Sequence, residues 1–330
     1  MLNLLLKKKF VPTEVEPPSI TQQGWDVEIV DFRDAKVPGV DYFNPGYVAR
    51  PEREYLITRR SKFDAKIHVG INDLVAFAMT ERLPQVGTIL KPMELAFDSH
   101  FEDPRAIYFQ GHTYIGACNF IWHKEHNLWS GAHQALLKFD QNWKCVERYD
   151  IEYGYNESRL AATKGHEKNW LYFEHDGVLH LLYKTHPHTV IRLGRDMNPV
   201  EEYITDWDNS IWKYGEPRGG TPPVIGPDGN FWSYFHSSID NAVRNKRRYF
   251  TGVYCFESKP PFNVIGITPE PILTGSKHDR WAPNKPAVTF AGGAILKDGV
   301  WTVSFGVNDF DSALGFFPHD KIDKLVKIVA

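Results

Sequence analysis

The chain has 330 residues, 42% hydrophobic and 24% charged, an ordinary balance for a globular protein with a sizeable core. Its 38 Lys and Arg stand against 41 Asp and Glu, and a net charge of −3 leaves no global footprint for nucleic acid or an anionic membrane surface. Three widely spaced cysteines, Cys118, Cys145 and Cys255, give no disulfide framework, and no run approaches the roughly 20 apolar residues of a membrane-spanning helix.

In chain order, MLNLLLKKKF comes first: a short apolar stretch followed by lysines, the reverse of a secretory signal. The expected location is therefore the cytoplasm, with the cysteines as buried thiols and the sequon at Asn156 accidental. Strand patterns then dominate: YLITRR, KIHVGI, AIYFQGHTYIGAC, HQALLKF, WLYFEHDGVLHLLYKT, NFWSYFHSS, RYFTGVYCFE and AVTFAGGAILKDGVWTVSFGV. Asp-Gly turns at 176–177, 228–229 and 298–299 separate β-branched and aromatic runs, a hairpin signal. Helical periodicity is confined to the C-terminal DKIDKLVKIVA, where Ile322, Leu325, Val326 and Val329 share a face.

A short polar motif, a strand, a glycine turn and another strand recur from Asn44, Asp103, Lys168, Arg218 and Trp281. A period of several short strands is the mark of a propeller. Five starts predict an all-β, five-bladed β-propeller with a short C-terminal helix. The whole chain, 1–330, reads as one catalytic domain with 1–40 and 316–330 as closing extensions. The polar starts should converge on one axial pocket. Aromatics at 14%, with ten Trp, favour a sugar ligand.

The start FEDPR, residues 101–105, carries two adjacent carboxylates. Neighbours on a strand point to opposite faces, so only one of Glu102 and Asp103 should enter the pocket, the other pairing with Arg105 or backbone. The motif reads either as a general acid beside a glycosidic oxygen or as a salt-bridged turn. His186 and His188, two apart, should share a strand face; a substrate or phosphate contact and a plain loop are both open. A zinc site would need a third ligand and none is visible, so no metal is assigned. Arg244, Lys246, Arg247 and Arg248 form either a solvated hairpin tip or a rim contact. Trp122, Trp129, Trp212 and Trp281 are either sugar platforms or core, and Tyr234 should share the face of His236.

FEDPR followed by a strand resembles the motif of glycoside hydrolase family 130, the β-mannoside phosphorylases and mannosidases. The resemblance extends over residues 40 to about 315: Asn44-Pro45 with YLITRR, GHEKNWLYF with DGVLHLLYKTHPH, RGGTPPVIGPDGNFWSYFHSS, RRYFTGVYCFESKPPFNVIGITPEPIL and AVTFAGGAILKDGVWTVSFGVNDF. It implies inverting phosphorolysis or hydrolysis of a β-mannoside-like bond. Asp103 corresponds to the proton donor, acting through a sugar hydroxyl. Asn44 and Arg59 correspond to sugar-binding positions, His236 to a phosphate contact and Asp309 to the closing aspartate of the pocket. Lys168, Asn169, Arg218, Tyr234, His186 and His188 join Glu102 and Arg105 as expected substrate contacts. No cofactor is implied beyond inorganic phosphate as co-substrate. A hydrolase would need a second carboxylate, from Asp309 or Glu216.

The chain departs from the family pattern at Arg218-Gly219-Gly220-Thr221, where Lys-Gly-Ala-Gly is usual, at Lys184-Thr185-His186-Pro187-His188, at Ala291 and at Val307-Asn308-Asp309. These departures leave the nucleophile open. Two other readings stand beside the first: a glycosyltransferase-like enzyme on the same propeller, and a non-catalytic sugar-binding propeller. The expected partner is an oligosaccharide or glycoside, with no nucleic acid and no membrane, and homo-oligomerisation is left open.

Overall fold

A computed structural model describes residues 17–32, 39–64, 69–80, 82–91, 99–123, 128–129, 131–154, 167–241, 246–278, 281 and 285–329. The sequon at Asn156, Arg244 and the lysine-rich N-terminus lie outside them, as do the side chains of Trp122, Trp129 and Lys246.

The described strands form five antiparallel sheets. Sheet I holds Val40–Ala49, Glu54–Asp64, Val69–Thr80 and Leu83–Leu90. Sheet II holds Ser99–Phe109, His112–His123, His133–Phe139 and Cys145–Tyr149, with Leu128–Trp129 paired on its second strand. Sheet III holds Leu171–His175, Val178–Lys184, His188–Leu193 and Pro199–Thr205. Sheet IV is built on Phe231–Asn241 and Lys246–Phe256, with Arg218–Gly219 and Val224–Ile225 on one side and Val264–Ile267 on the other. Sheet V holds Thr289–Lys297, Val300–Val307 and Asp311–Pro318.

Each sheet buries its apolar face against the next. Val48 and Ile57 pack with Phe101 and Ile115 between sheets I and II. Tyr114 and Leu136 meet Leu181 and Ile191 between II and III. Phe173 and Val190 meet Phe231 and Phe256 between III and IV. Trp232 and Val253 meet Trp301 and Phe317 between IV and V. Tyr42 and Phe77 meet Leu314 and Phe316 between V and I, which closes the ring. The strand period of two is clear in Val300–Val307, where Trp301, Val303, Phe305 and Val307 fill one such interface. The arrangement is all-β and propeller-like.

The ring is latched by the start of the chain. Asp26–Ile29 pairs antiparallel with Asp311–Pro318, Asp26 opposite Phe316 and Ile29 opposite Ala313. Trp25 donates its indole N–H to the Ile272 carbonyl at 2.9 Å, tying the same segment to sheet IV.

All three predicted hairpins form: Val224–Ile225 pairs antiparallel with Trp232 and Phe231 around Asp228-Gly229, and the other two share one turn geometry. Asp176 and Gly177 both take positive φ between paired His175 and Val178, and Asp298 and Gly299 do so between Lys297 and Val300. The C-terminal helix is shorter than expected. It spans only His319–Asp323, and Lys327–Ile328 pairs instead with the outer strand Val264–Ile267 of sheet IV. Only Ile322 of the anticipated face lies in the helix; Val329 packs with sheet IV and Ile328 is exposed. An unsatisfied sheet edge offers backbone partners that a short, weakly capped helix does not. No described helix is long and apolar enough to cross a membrane.

Candidate functional site

The first strands of sheets I, II and V carry bulges where they approach one another. Register slips between Phe43 and Gly46, between Glu102 and Arg105, and between Ala291 and Gly293. Proline cannot donate to a ladder, so Asn44-Pro45 and Asp103-Pro104 suit such irregularities. Asn44 and Asp103 both take positive φ, 48° and 53°, a region these two residue types tolerate best. The bulge removes the strict alternation expected of FEDPR. Glu102 and Asp103 therefore both reach Arg59 instead of pointing to opposite faces, which corrects the expected strand alternation.

Arg59 is the hub. Its Nη2 lies 2.8 Å from Glu102 Oε1 and its Nη1 3.5 Å from Asp103 Oδ1. Asn44 Nδ2 donates to the same Asp103 Oδ1 at 2.8 Å. Asp309 arrives from the turn between the last two strands of sheet V, where Asn308 and Asp309 are left-handed, and the nearby Asn44 side chain favours its charged form. Asp103 Oδ2 takes no hydrogen bond among the described residues.

Three carboxyl groups and one guanidinium share this small volume, and their charges sort them. Burial pushes Asp103 up, but Arg59, Arg105, the Asn44 amide and Lys168 outweigh it and hold the carboxyl below the ordinary aspartate value. Burial dominates at Glu102 and at Asp309, and both sit above their ordinary values despite Arg59. Desolvation works against the charge of Arg59, yet Glu102, Asp103 and Asp309 more than restore it. Desolvation works against the charge of Lys168 too, and the Asp103 and Glu102 carboxyls help restore it.

A second group is cationic. Arg105 does not pair with Glu102, as the sequence reading allowed, because Arg59 already occupies it. The Arg105 side chain instead runs beneath the bulge, donating Nη1 to the carbonyls of Asp103 and Pro104 at 3.2 Å each, with its guanidinium 4.8 Å from the Phe290 ring centroid. Its Nε and Nη2 are buried with no hydrogen-bond partner among the described residues. Burial lowers it to about 10, still charged at neutral pH. His236 lies opposite Arg218 and against Phe290. Burial, with Arg105 and Arg218 nearby, pulls its imidazole well below the ordinary histidine value, so it is neutral.

A cavity of about 340 Å³ lies beside these groups, reached through Lys168, which faces the carboxyls, and Arg218, which pairs with His236; Arg59, Glu102, Asp103, Asp309, Arg105 and His236 do not line it. Lys168, Asn169, His186, Glu216 and Arg218 line it, with Glu167 and Lys184. Asn169 has φ 65°, and its carbonyl presses on Gly219, where a Cβ would overlap it. The glycine after Arg218 thus lets sheet IV close against sheet III. His186 contacts Asp206 Oδ1 through Nε2 at 3.3 Å and the Asn209 amide through Nδ1 at 3.1 Å.

Two expected contacts belong neither to these groups nor to the cavity wall. His188 does not share the His186 face: 185–187 is a turn, and the strand begins only at His188. Its ring is fully buried against Phe256 and Tyr254, both nitrogens without a partner among the described residues, and burial lowers it to about 3. Tyr234 is also fully buried, among Trp301 and Phe317 between sheets IV and V, and does not line the cavity. Trp212 is core, bonded to Ser237 and packed on Phe235. Sequence reasoning missed Asn72 and Glu167. Asn72 bonds both Arg59 and Glu102. Glu167 is buried at the cavity wall and accepts from Trp170 Nε1 at 2.9 Å and Tyr183 Oη at 3.0 Å. Its position directly before Lys168 was the only available hint.

No protein-family model matches the sequence, and no curated protein is significantly similar to it. Solved structures do resemble it. β-1,2-Mannobiose phosphorylase from Listeria innocua has a TM-score of 0.64 at 12% identity, over 91% of this chain and 99% of that one. A mannose phosphorylase from Leishmania mexicana, in complex with phosphate ion, has a TM-score of 0.62 at 13% identity, over 92% and 90%. A GDP-Man-dependent mannosyltransferase from Leishmania mexicana has a TM-score of 0.61 at 14% identity, over 89% and 90%. At these identities the likeness is one of fold, and it extends over nearly the full length of each chain.

Proposed function

We propose that the protein is a carbohydrate-active enzyme of the glycoside hydrolase family 130 type, a five-bladed propeller with each sheet as one blade. Its reaction is inverting phosphorolysis of a β-mannoside-like bond. The observation that carries this reading is a three-carboxyl group around Arg59 facing Lys168, which together with Arg218 lines the neighbouring cavity. Asp103 delivers a proton through a sugar hydroxyl to the glycosidic oxygen, with Oδ2 as the atom turned to substrate. Lys168 and Arg218 hold phosphate, Arg105 adds its charge from beneath the bulge, and neutral His236 stands behind Arg218. Phosphate attacks the anomeric carbon from the face opposite the leaving oxygen, so a β-linked sugar leaves as the α-1-phosphate. In synthesis the same carboxyl accepts the proton, and a depressed Asp103 suits that direction. Asp309 and Asn44 close the sugar side.

Two neighbours of the same fold act as phosphorylases and one as a GDP-Man-dependent transferase, so a transferase is the second reading. Incubation with β-mannosides plus phosphate should release sugar 1-phosphate. Consumption of a nucleotide sugar without phosphate dependence would favour the transferase. Arg218→Ala should raise KM for phosphate about 10- to 100-fold, the worth of one charge-assisted contact, with a smaller effect on KM for the glycoside.

The pH dependence follows from the carboxyl group as a unit, because coupled sites titrate together. Glu102 and Asp309 are raised and take up the first proton on acidification; Asp103 is lowered and takes it last. Phosphorolysis needs one proton in this group. The kcat/KM for the glycoside is therefore expected to be high below the raised carboxyl value and to fall as pH climbs through it. Glu102→Gln, which removes one raised carboxyl, should displace that limb in a kcat/KM–pH series.

A further inference from the structure

Asn72 lies on Val69–Thr80, opposite Ser61 of the strand that carries Arg59. It is buried, and its one amide serves both members of an ion pair. Oδ1 accepts from Arg59 Nε at 3.0 Å, while Nδ2 donates to Glu102 Oε1 at 2.8 Å. Arg59 Nη2 reaches that same Oε1 at 2.8 Å. The three side chains close a ring in which each touches the other two. A carboxamide can do this because it is acceptor at one end and donor at the other. An aspartate there would repel Glu102, and a lysine would repel Arg59.

The ring has a directional effect. Arg59 is drawn fully onto Glu102 and stands off from Asp103, at 3.5 Å. We propose that Asn72 is a positioning residue that fastens Arg59 to Glu102, and so keeps Arg59 from closing on Asp103 and leaves that carboxyl to the substrate. The inference rests on the proposed reaction for its kinetic consequence, while the restraint on Arg59 stands apart from it.

Glu102 is faced by Arg59 from sheet I, Asp103 on its own strand, Asp309 from sheet V, Lys168 at the entry to sheet III and Cys118 on the paired strand. None of these donates the neutral hydrogen bond that Asn72 supplies. In Asn72→Ala, Glu102 loses a donor and Arg59 loses the acceptor that fixes Nε. Arg59 then moves towards Asp103.

The test is a carbon-13 NMR titration of side-chain carboxyls in the full chain, with signals assigned through Glu102→Gln and Asp103→Asn. It needs no substrate, so it decides the restraint even where phosphorolysis is not detected. In Asn72→Ala, Glu102 should titrate at higher pH than in the unaltered protein and Asp103 at lower pH. In Asn72→Ser, whose hydroxyl can serve one partner at a time, both shifts should be smaller; this variant also decides the matter if the alanine form fails to fold. With active enzyme, kcat should fall about tenfold while KM for phosphate stays unchanged, since Lys168 and Arg218 are untouched. Unaltered titration of Glu102 and Asp103 in a variant that melts like the parent would overturn the proposal.

Discussion

Asp103→Asn is expected to reduce release of sugar 1-phosphate by about 10²- to 10⁴-fold, the range for loss of a general acid. Asparagine has nearly the shape of aspartate. Its side-chain oxygen can still accept from Asn44 Nδ2, and Arg59 keeps its shorter contact with Glu102. The pocket should therefore survive while the transferable proton is lost. One cost is foreseeable: among the described residues Asp103 is the charge that supports buried Arg105, so the melting temperature should drop modestly. Rate and melting curve measured together separate the two effects. An undiminished rate in a folded variant would move the reading to a different acid, and undiminished sugar binding with no catalysis in either form would favour the non-catalytic propeller.

Gly292→Ala is expected to be the most damaging small substitution. A Cβ at Gly292 would lie well inside contact distance of the Pro45 carbonyl, and one at Gly293 inside that of the Tyr47 backbone. These are backbone atoms of the bulge that sets Asn44, so no side chain can swing aside. Overpacking typically costs about 1–3 kcal/mol, and this contact between two bulged strands belongs at the upper end. Denaturant unfolding should show the loss. A surviving folded fraction should also bind sugar more weakly, because relief of the clash must shift Asn44 away from Asp103. Equal stability of the alanine form would mean that sheets I and V approach less closely than described.

Much of the fold could be read along the chain because its information is local. Asp-Gly between strand-like runs specifies a hairpin whatever surrounds it, and Asp176-Gly177 and Asp298-Gly299 behave so. The clustering of Asn44, Arg59, Asp103 and Asp309 was likewise anticipated, through strand starts and resemblance together. What failed were inferences that extended period two across an irregularity. His186 and His188 part because a turn separates them, and Glu102 and Asp103 come together because a bulge joins them. Tyr234 does share a strand and a face with His236, but both are fully buried against sheet V and neither lines the cavity, and sequence carries no measure of depth. Asn72 sits on the strand beyond Arg59, in a run that reads as an ordinary alternating strand. Its role exists only once three strands from two sheets have come together.

The latch between Asp26–Ile29 and Asp311–Pro318 sets an order of events during synthesis. Asp26–Ile29 must wait, unpaired, until the five sheets' intervening sequence and Asp311–Pro318 have followed it. Sheets made of consecutive strands can assemble meanwhile, but the circle stays open and one flank of sheet I uncovered. Such long-range pairing is slow and leaves apolar surface exposed for its duration. Yield on expression should accordingly depend more on temperature and on holding chaperones than the finished, closed molecule would lead one to expect.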